Sequence, residues 1–136
     1  MKPLVLDSSM TLAWCFEDER SPRTDGVLDS LSNRSVHVPV LWPVEVANVL
    51  ALAERRKRLT TGKSDSFLMF LAGLRIHVDP EGSMRAWNDV LALARAEGVT
   101  AYDALYLELA TRLKASLASL DRDLCAAAKR RGVAVV

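Results

Sequence analysis

Short apolar runs alternate with longer amphipathic stretches along the whole chain, and that alternation restricts the fold more than any other feature. Strand-like runs occupy residues 3–6, 36–38, 75–78, 117–120 and 133–136, rich in Val, Ile and Leu and mostly bounded by Gly, Pro or Asp. Helical spacing covers residues 22–32, 43–58, 63–73, 83–96, 102–115 and 122–131. Strands separated by helices pair in parallel, and a parallel sheet needs helices over both faces. The expected fold is therefore α/β: a three-layer α/β/α domain around a central, mostly parallel sheet of four to five strands. No linker, repeat or low-complexity segment divides the 136 residues, so residues 1–136 are expected to form a single domain.

Within 83–96, Met84, Trp87, Leu91 and Ala94 recur at helical spacing with Val90 beside them, which predicts one core-facing stripe. Residues 102–115 are apolar over much of their surface, which predicts a helix covered on most sides. Gly98 and Gly132 read as helix terminators. None of the scattered glycines belongs to a G-x-G-x-x-G or Walker loop, which leaves no support for a dinucleotide or P-loop site.

Composition excludes more than it assigns. Eighteen Lys and Arg against 17 Asp and Glu leave a net charge of +1, so any nucleic-acid contact must come from local patches. Cys15 and Cys125 have no metal-ligand spacing with each other or with His37 and His77, and read as reduced thiols. Both histidines fall in strand-like runs and are not expected to be catalytic. A strand-like run follows Met1-Lys2 directly, and no apolar stretch reaches the roughly 18 residues that span a bilayer. The expectation is a soluble, cytoplasmic protein with no membrane partner.

Four acidic residues then stand out. Asp7 and Asp121 each follow an apolar run, and Glu45 and Asp103 each open a helical one. In a parallel sheet such junctions share one edge, where open α/β sheets bind ligands. Each acid also has an ordinary explanation. Asp7 and Asp121 suit N-caps, Asp103 completes a capping box with Thr100, and Glu45 suits a first helical turn. Capping does not explain why all four should converge. Four carboxylates brought together repel unless something positive lies between them, and a divalent metal is the natural candidate.

The stretches LVLDSSM, PVEVANVL, TAYDALYLELA and LASLDRDL resemble, in order and spacing, the four acidic motifs of PIN-domain ribonucleases, above all the VapC toxins of bacterial toxin–antitoxin pairs. The likeness runs from Lys2 to Val136. It implies a metal-dependent endoribonuclease with Asp7, Glu45, Asp103 and Asp121 as both catalytic and metal-binding residues. It also implies a polar outer shell at Ser9, at Ser119 (where the family commonly has Thr) and at Asp123. An all-carboxylate set suits hard cations such as Mg²⁺ or Mn²⁺. The implied partners are an RNA substrate, a small antitoxin and a second copy of the chain in a homodimer.

Positive charge for an RNA backbone is offered by Arg55, Arg56 and Arg58, by Arg122, and by the run Lys129-Arg130-Arg131, although cations near a helix C-terminus also satisfy its dipole. Phe67, Leu68, Phe70, Leu71 and Leu74 make an unusually apolar short helix. It reads as core, or as one wall of a docking groove shared with residues 46–52. Two other readings stay open. One is a catalytically silent PIN-like binding module. The other is a receiver-like phosphoacceptor domain, although Ser119-Leu120-Asp121 lacks the lysine such a site needs. A haloacid-dehalogenase-like phosphatase fails because Asp7-Ser8-Ser9 lacks the second Asp.

Overall fold

The computed structural model describes every residue, Met1–Val136. Four parallel strands, β1 (Leu4–Leu6), β2 (Val36–Pro39), β3 (Ile76–Asp79) and β4 (Ser116–Ala118), form a sheet in the order β3-β2-β1-β4. Leu4, Val5 and Leu6 have no exposed surface, as expected of a central strand covered on both faces. The helices are α1 (Ser8–Ala13), α2 (Pro22–Ser30), α3 (Leu41–Arg55), α4 (Thr61–Ala72), α5 (Leu91–Glu97), α6 (Ala101–Leu113) and α7 (Arg122–Arg130). The chain steps one way from β1 to β2 to β3, then crosses back over β2 and β1 to reach β4. Right-handed crossovers therefore place α1–α4 on one face and α5–α7 on the other. The packing agrees, with α1 against α3, and α5 and α7 against α6.

This order has one functional consequence. Connections leave β1 and enter β4 on opposite faces, so the crevice at the carboxyl ends of β1 and β4 is the topological switch point. It also removes the receiver-like reading, whose sheet runs in the order 2-1-3-4-5.

Local chemistry sets most boundaries. Ser21 and Thr24 form a reciprocal capping box at α2, with Pro22 in its first turn. Gly98 ends α5 at φ 66°, and Gly132 follows α7 at φ 75°, conformations that cost glycine little. Arg75 takes a left-handed φ of 53°, so β3 begins at Ile76 and not at 75. The predicted strand at 117–120 stops at Ala118, because Ser119 and Leu120 turn their polar groups to the loop after β1. The predicted fifth strand reduces to one parallel bridge, Leu117 with Val135.

The largest departure lies at 83–96. A single helix with a Met84–Trp87–Leu91–Ala94 stripe was expected. A 3₁₀ turn (Gly82–Arg85) and a π-helical turn (Ala86–Val90) precede α5 instead. The wider π turn shifts the helical phase. Val90 remains buried and Leu93 packs on the core, while Met84 and Trp87 are 80% and 90% exposed.

A charged brace ties α6 to the end of β3. Arg112 makes a two-pronged contact with Asp79 (2.7 and 3.2 Å) and another with Glu108 (2.8 and 3.1 Å). The guanidinium holds the Asp79 carboxyl below the usual carboxylate range. Arg112→Met should cost about 2–3 kcal/mol at pH 7, because it strands two largely enclosed carboxylates. A depressed folded-state pKa adds stability above the unfolded value, and that contribution is lost as pH falls below about 4. In urea melts the gap between variant and parent should therefore narrow from pH 7 to pH 3.

Candidate active site

Asp7 is the fixed point of the switch-point crevice. Its backbone N–H continues the ladder to Ala118 (3.1 Å), and its side chain caps α1 by accepting from the Met10 N–H (3.0 Å). The same oxygen, Oδ1, accepts from Ser9 Oγ (2.7 Å), and Oδ2 accepts from Ser119 Oγ (2.5 Å). Each serine hydroxyl also accepts a backbone N–H from the loop after β4. Ser9 Oγ accepts from the Leu120 N–H (2.9 Å) and Ser119 Oγ from the Asp121 N–H (3.0 Å). The two hydroxyls thus stitch the loop after β1 to the loop after β4. Burial raises the Asp7 pKa, the three hydrogen bonds oppose that rise, and the Asp121 charge adds to it.

Asp121 caps α7 through Oδ1, which accepts from the Leu124 N–H (3.0 Å). Asp103 sits in the first turn of α6, but only half of the expected capping box forms. Thr100 accepts from the Asp103 N–H (3.1 Å), while the Asp103 carboxylate makes no hydrogen bond in return. Its pKa is pushed up to about 6, by burial first and then by the charges of Asp121, Asp7, Glu45 and Asp123 in that order. That sequence of repulsions brings the four predicted acids into one electrostatic neighbourhood, with the exposed Asp123 contributing least.

Glu45 is not in a first turn. Helix α3 begins at Leu41, two residues before the expected start, which puts Glu45 in the second turn and weakens the dipole explanation. Its Oε1 accepts from Tyr106 Oη (2.5 Å) and Ser8 Oγ (3.3 Å), tying α3 to α6 and α1. Tyr106 and Ser8 are missed by reading motifs for acids alone. A usable signal was present, because Tyr106 lies three residues after Asp103 and so shares its helix face.

No three of these acidic side chains stand close enough together to ligate one ion directly. The donor set is nevertheless all oxygen. Both Asp103 oxygens, Asp121 Oδ2 and Glu45 Oε2 take no hydrogen bond from the protein. That suits a hydrated Mg²⁺ or Mn²⁺, held by one or two carboxylates and through waters to the others, better than a dry cage. A fifth acid, Asp79, ends β3 at the same edge, but Arg112 neutralises it.

The basic residues lie further out. Arg122 is exposed beside Asp121. Arg55 and Arg56 are exposed at the far end of α3, ten residues or about 15 Å from Glu45. Arg58 covers the Phe16 ring at 4.5 Å and pairs with Asp18 at 3.5 Å. Arg130 and Arg131 both clamp Glu97, each at 2.6 Å, which gives that cluster a structural role. His37 and His77 face each other across β2 and β3, with ring centres 5.4 Å apart. The apolar α4 cluster divides: Phe67 and Leu71 are buried, while Leu68 and Phe70 face outward. Between α3 and α4 runs a cleft of about 290 Å³ lined by Trp42, Pro43, Val46, Leu68 and Leu71.

The family model for the PIN domain matches residues 4–130. This chain belongs to the PIN-domain family. Ribonuclease VapC3 of Pyrobaculum aerophilum is 33% identical over 125 residues, which is 89% of this chain and 91% of that protein. Among solved structures, PAE2754 of P. aerophilum superposes with a TM-score of 0.72 at 22% identity, covering 99% of this PIN domain chain and 90% of its own. VapBC2 of Rickettsia felis, solved with a DNA fragment from its promoter, gives 0.70 at 14% identity, over 98% and 97% of the two chains. FitAcB of Neisseria gonorrhoeae gives 0.67 at 21%, over 97% and 95%. At these identities the three structures speak for the PIN fold.

The raised Asp103 pKa gives a stability test whose sign is opposite to that of Asp79. A folded pKa above the unfolded 3.8 means that the ionised carboxyl opposes folding at pH 7, and that its protonation relieves the cost as pH falls through about 6. Without divalent ions, Asp103→Asn should raise Tm by about 3 °C at pH 7, with less gain at pH 5. Millimolar Mn²⁺ should raise the wild-type Tm by linkage. An unshifted melting curve in Mn²⁺ would count against the clustered acids.

Proposed function

We propose that this PIN-domain chain is a divalent-metal-dependent endoribonuclease and the toxin of a type II toxin–antitoxin pair, acting in the cytoplasm as one domain over residues 1–136. The observation that carries the reading is the unbonded Asp103 carboxylate, held among Asp7, Glu45 and Asp121 at the switch point. A purely structural acid at a helix start would be spent on the cap. The kinship with a ribonuclease over nine-tenths of the chain supports the same view.

The reaction is in-line attack of water on an RNA phosphodiester. The water oxygen bonds to phosphorus, the bond to the 3′ oxygen breaks, and that oxygen leaves with a proton as a 3′-hydroxyl, opposite a 5′-phosphate. A bound Mg²⁺ or Mn²⁺ supplies a more acidic water and compensates charge on the phosphate. Asp103 and Asp121 are the residues that would hold it, with Asp7 and Glu45 reached through its waters. Glu45 Oε2 orients the attacking water and takes its proton. Ser9 and Ser119 keep Asp7 in place, and Asp123 belongs to the outer shell. Arg122 is the nearest candidate for a phosphate contact. Arg55 and Arg56 can meet the backbone only some 15 Å along the strand. Tyr102, 63% exposed and next to Asp103, offers a face on which a base can stack.

The α3–α4 cleft, with Leu68, Met69 and Phe70 exposed along α4, is the place we assign to an apolar helix of the antitoxin. The homodimer implied by the VapC likeness would use the exposed Trp87 and Met84 as contact residues. The alternative of a silent binding module is separated from the nuclease by one assay. Purified protein should cleave structured RNA with Mg²⁺ or Mn²⁺, stop in EDTA, and lose at least ~10²-fold in rate as Asp103→Asn. Metal binding without cleavage on any RNA would favour the silent module, and cleavage surviving both controls would reject this site.

A further inference from the structure

Glu45 differs from the other acids in how it is held. Asp7 and Asp121 are fixed by capping their own helices, through bonds to the backbone N–H groups of Met10 and Leu124. Glu45 is too deep in α3 to cap anything, and its longer side chain has more rotamers to lose. What fixes it is a phenol from another helix. Tyr106 is 2% exposed, so its ring is packed and its hydroxyl has a defined position, 2.5 Å from Glu45 Oε1. Ser8 Oγ reaches the same oxygen at 3.3 Å. Two donors on Oε1 leave Oε2 as the oxygen presented to the crevice. Tyr106 also lies one turn after Asp103 on α6, so the helix that carries the unbonded carboxylate also sets the orientation of the facing one.

We infer that Tyr106, supported by Ser8, is a positioning residue that fixes Glu45 with Oε2 turned to the reacting water, coupling the Asp103 and Glu45 sides of the site through α6. The inference rests on the nuclease reading for its kinetic consequence, but not for its structural one. It differs from a mere tether between α3 and α6, because a tether would act whether or not residue 45 is an acid.

A double-mutant cycle separates the two. Tyr106→Phe keeps the ring and removes the hydroxyl. It should lower kcat by about 10–100-fold with KM for RNA within about twofold, since misorientation affects the reaction more than binding. Ser8→Ala should cost about 2–5-fold, in keeping with its longer contact. In a Glu45→Gln background, Tyr106→Phe should cost less than about twofold more. Equal losses in both backgrounds, or an unchanged kcat for Tyr106→Phe with Tm held, overturn the proposal. If Tyr106→Phe does not fold, Ser8→Ala carries the cycle with the same criterion. The same cycle read by Mn²⁺ affinity, from the electron paramagnetic resonance signal of free Mn²⁺, needs no turnover. Tyr106→Phe should weaken binding several-fold, and adding it to Glu45→Gln should weaken it no further. If no RNA is cut but the Mn²⁺ cycle is coupled, the nuclease reading fails and the positioning role stands. If Asp103→Asn abolishes cleavage while Tyr106→Phe cleaves as wild type does, the positioning role fails and the nuclease stands.

Discussion

The bond between Ser119 and the buried Asp7 carboxylate is the contact on which the rest of the site depends. It crosses from the end of β4 to the end of β1, the two neighbouring strands whose connections run to opposite faces of the sheet. The crossed Ser9–Leu120 contact doubles it. With both in place, Asp7 and Asp121 are held in a fixed relation by the sheet itself. The helices α3 and α6 then need only bring Glu45 and Asp103 to a frame that is already rigid. An Asp this deeply enclosed is costly to keep ionised, and three hydrogen bonds offset part of that cost.

The charge along this edge is sorted with some care. Five acids lie near it, yet they do not share one fate. Asp79 is neutralised by Arg112 and becomes part of the frame, together with the buried Glu108. The remaining four have no cationic side chain paired with them. A protein that had only to be stable would pair these as well, so the selective omission marks where function was placed.

The frame of the fold was legible in the sequence because its signals are local. Apolar runs and the left-handed glycines after α5 and α7 act within a few residues. The four acids were legible because their motifs are short and ordered. The less legible features depend on distant partners or on small changes of helical phase. The π turn at Ala86–Val90 is a one-residue change that no periodicity count resolves, and it goes with Met84 and Trp87 of the predicted core stripe facing outward. The bond from Tyr106 to Glu45 spans 61 positions, and that from Arg112 to Asp79 spans 33. The true start of α3 was hidden by Pro43, which tolerates an early helical position because its missing N–H would have no partner there.

That phase change also gives the molecule an optical asymmetry. Trp14 and Trp42 are 7% and 8% exposed, with indole N–H groups bonded to Thr24 O and Thr11 Oγ1. Thr11 in turn bonds the backbone carbonyl of Asp7, so Trp42 is two contacts from the centre of the crevice. Trp87, lifted clear by the π turn, meets solvent almost completely. Intrinsic fluorescence thus contains two separable populations. A water-soluble quencher reaches the indole on the outer surface first, and the protected emission that remains comes from the two enclosed rings, of which Trp42 is linked through Thr11 to the acidic centre.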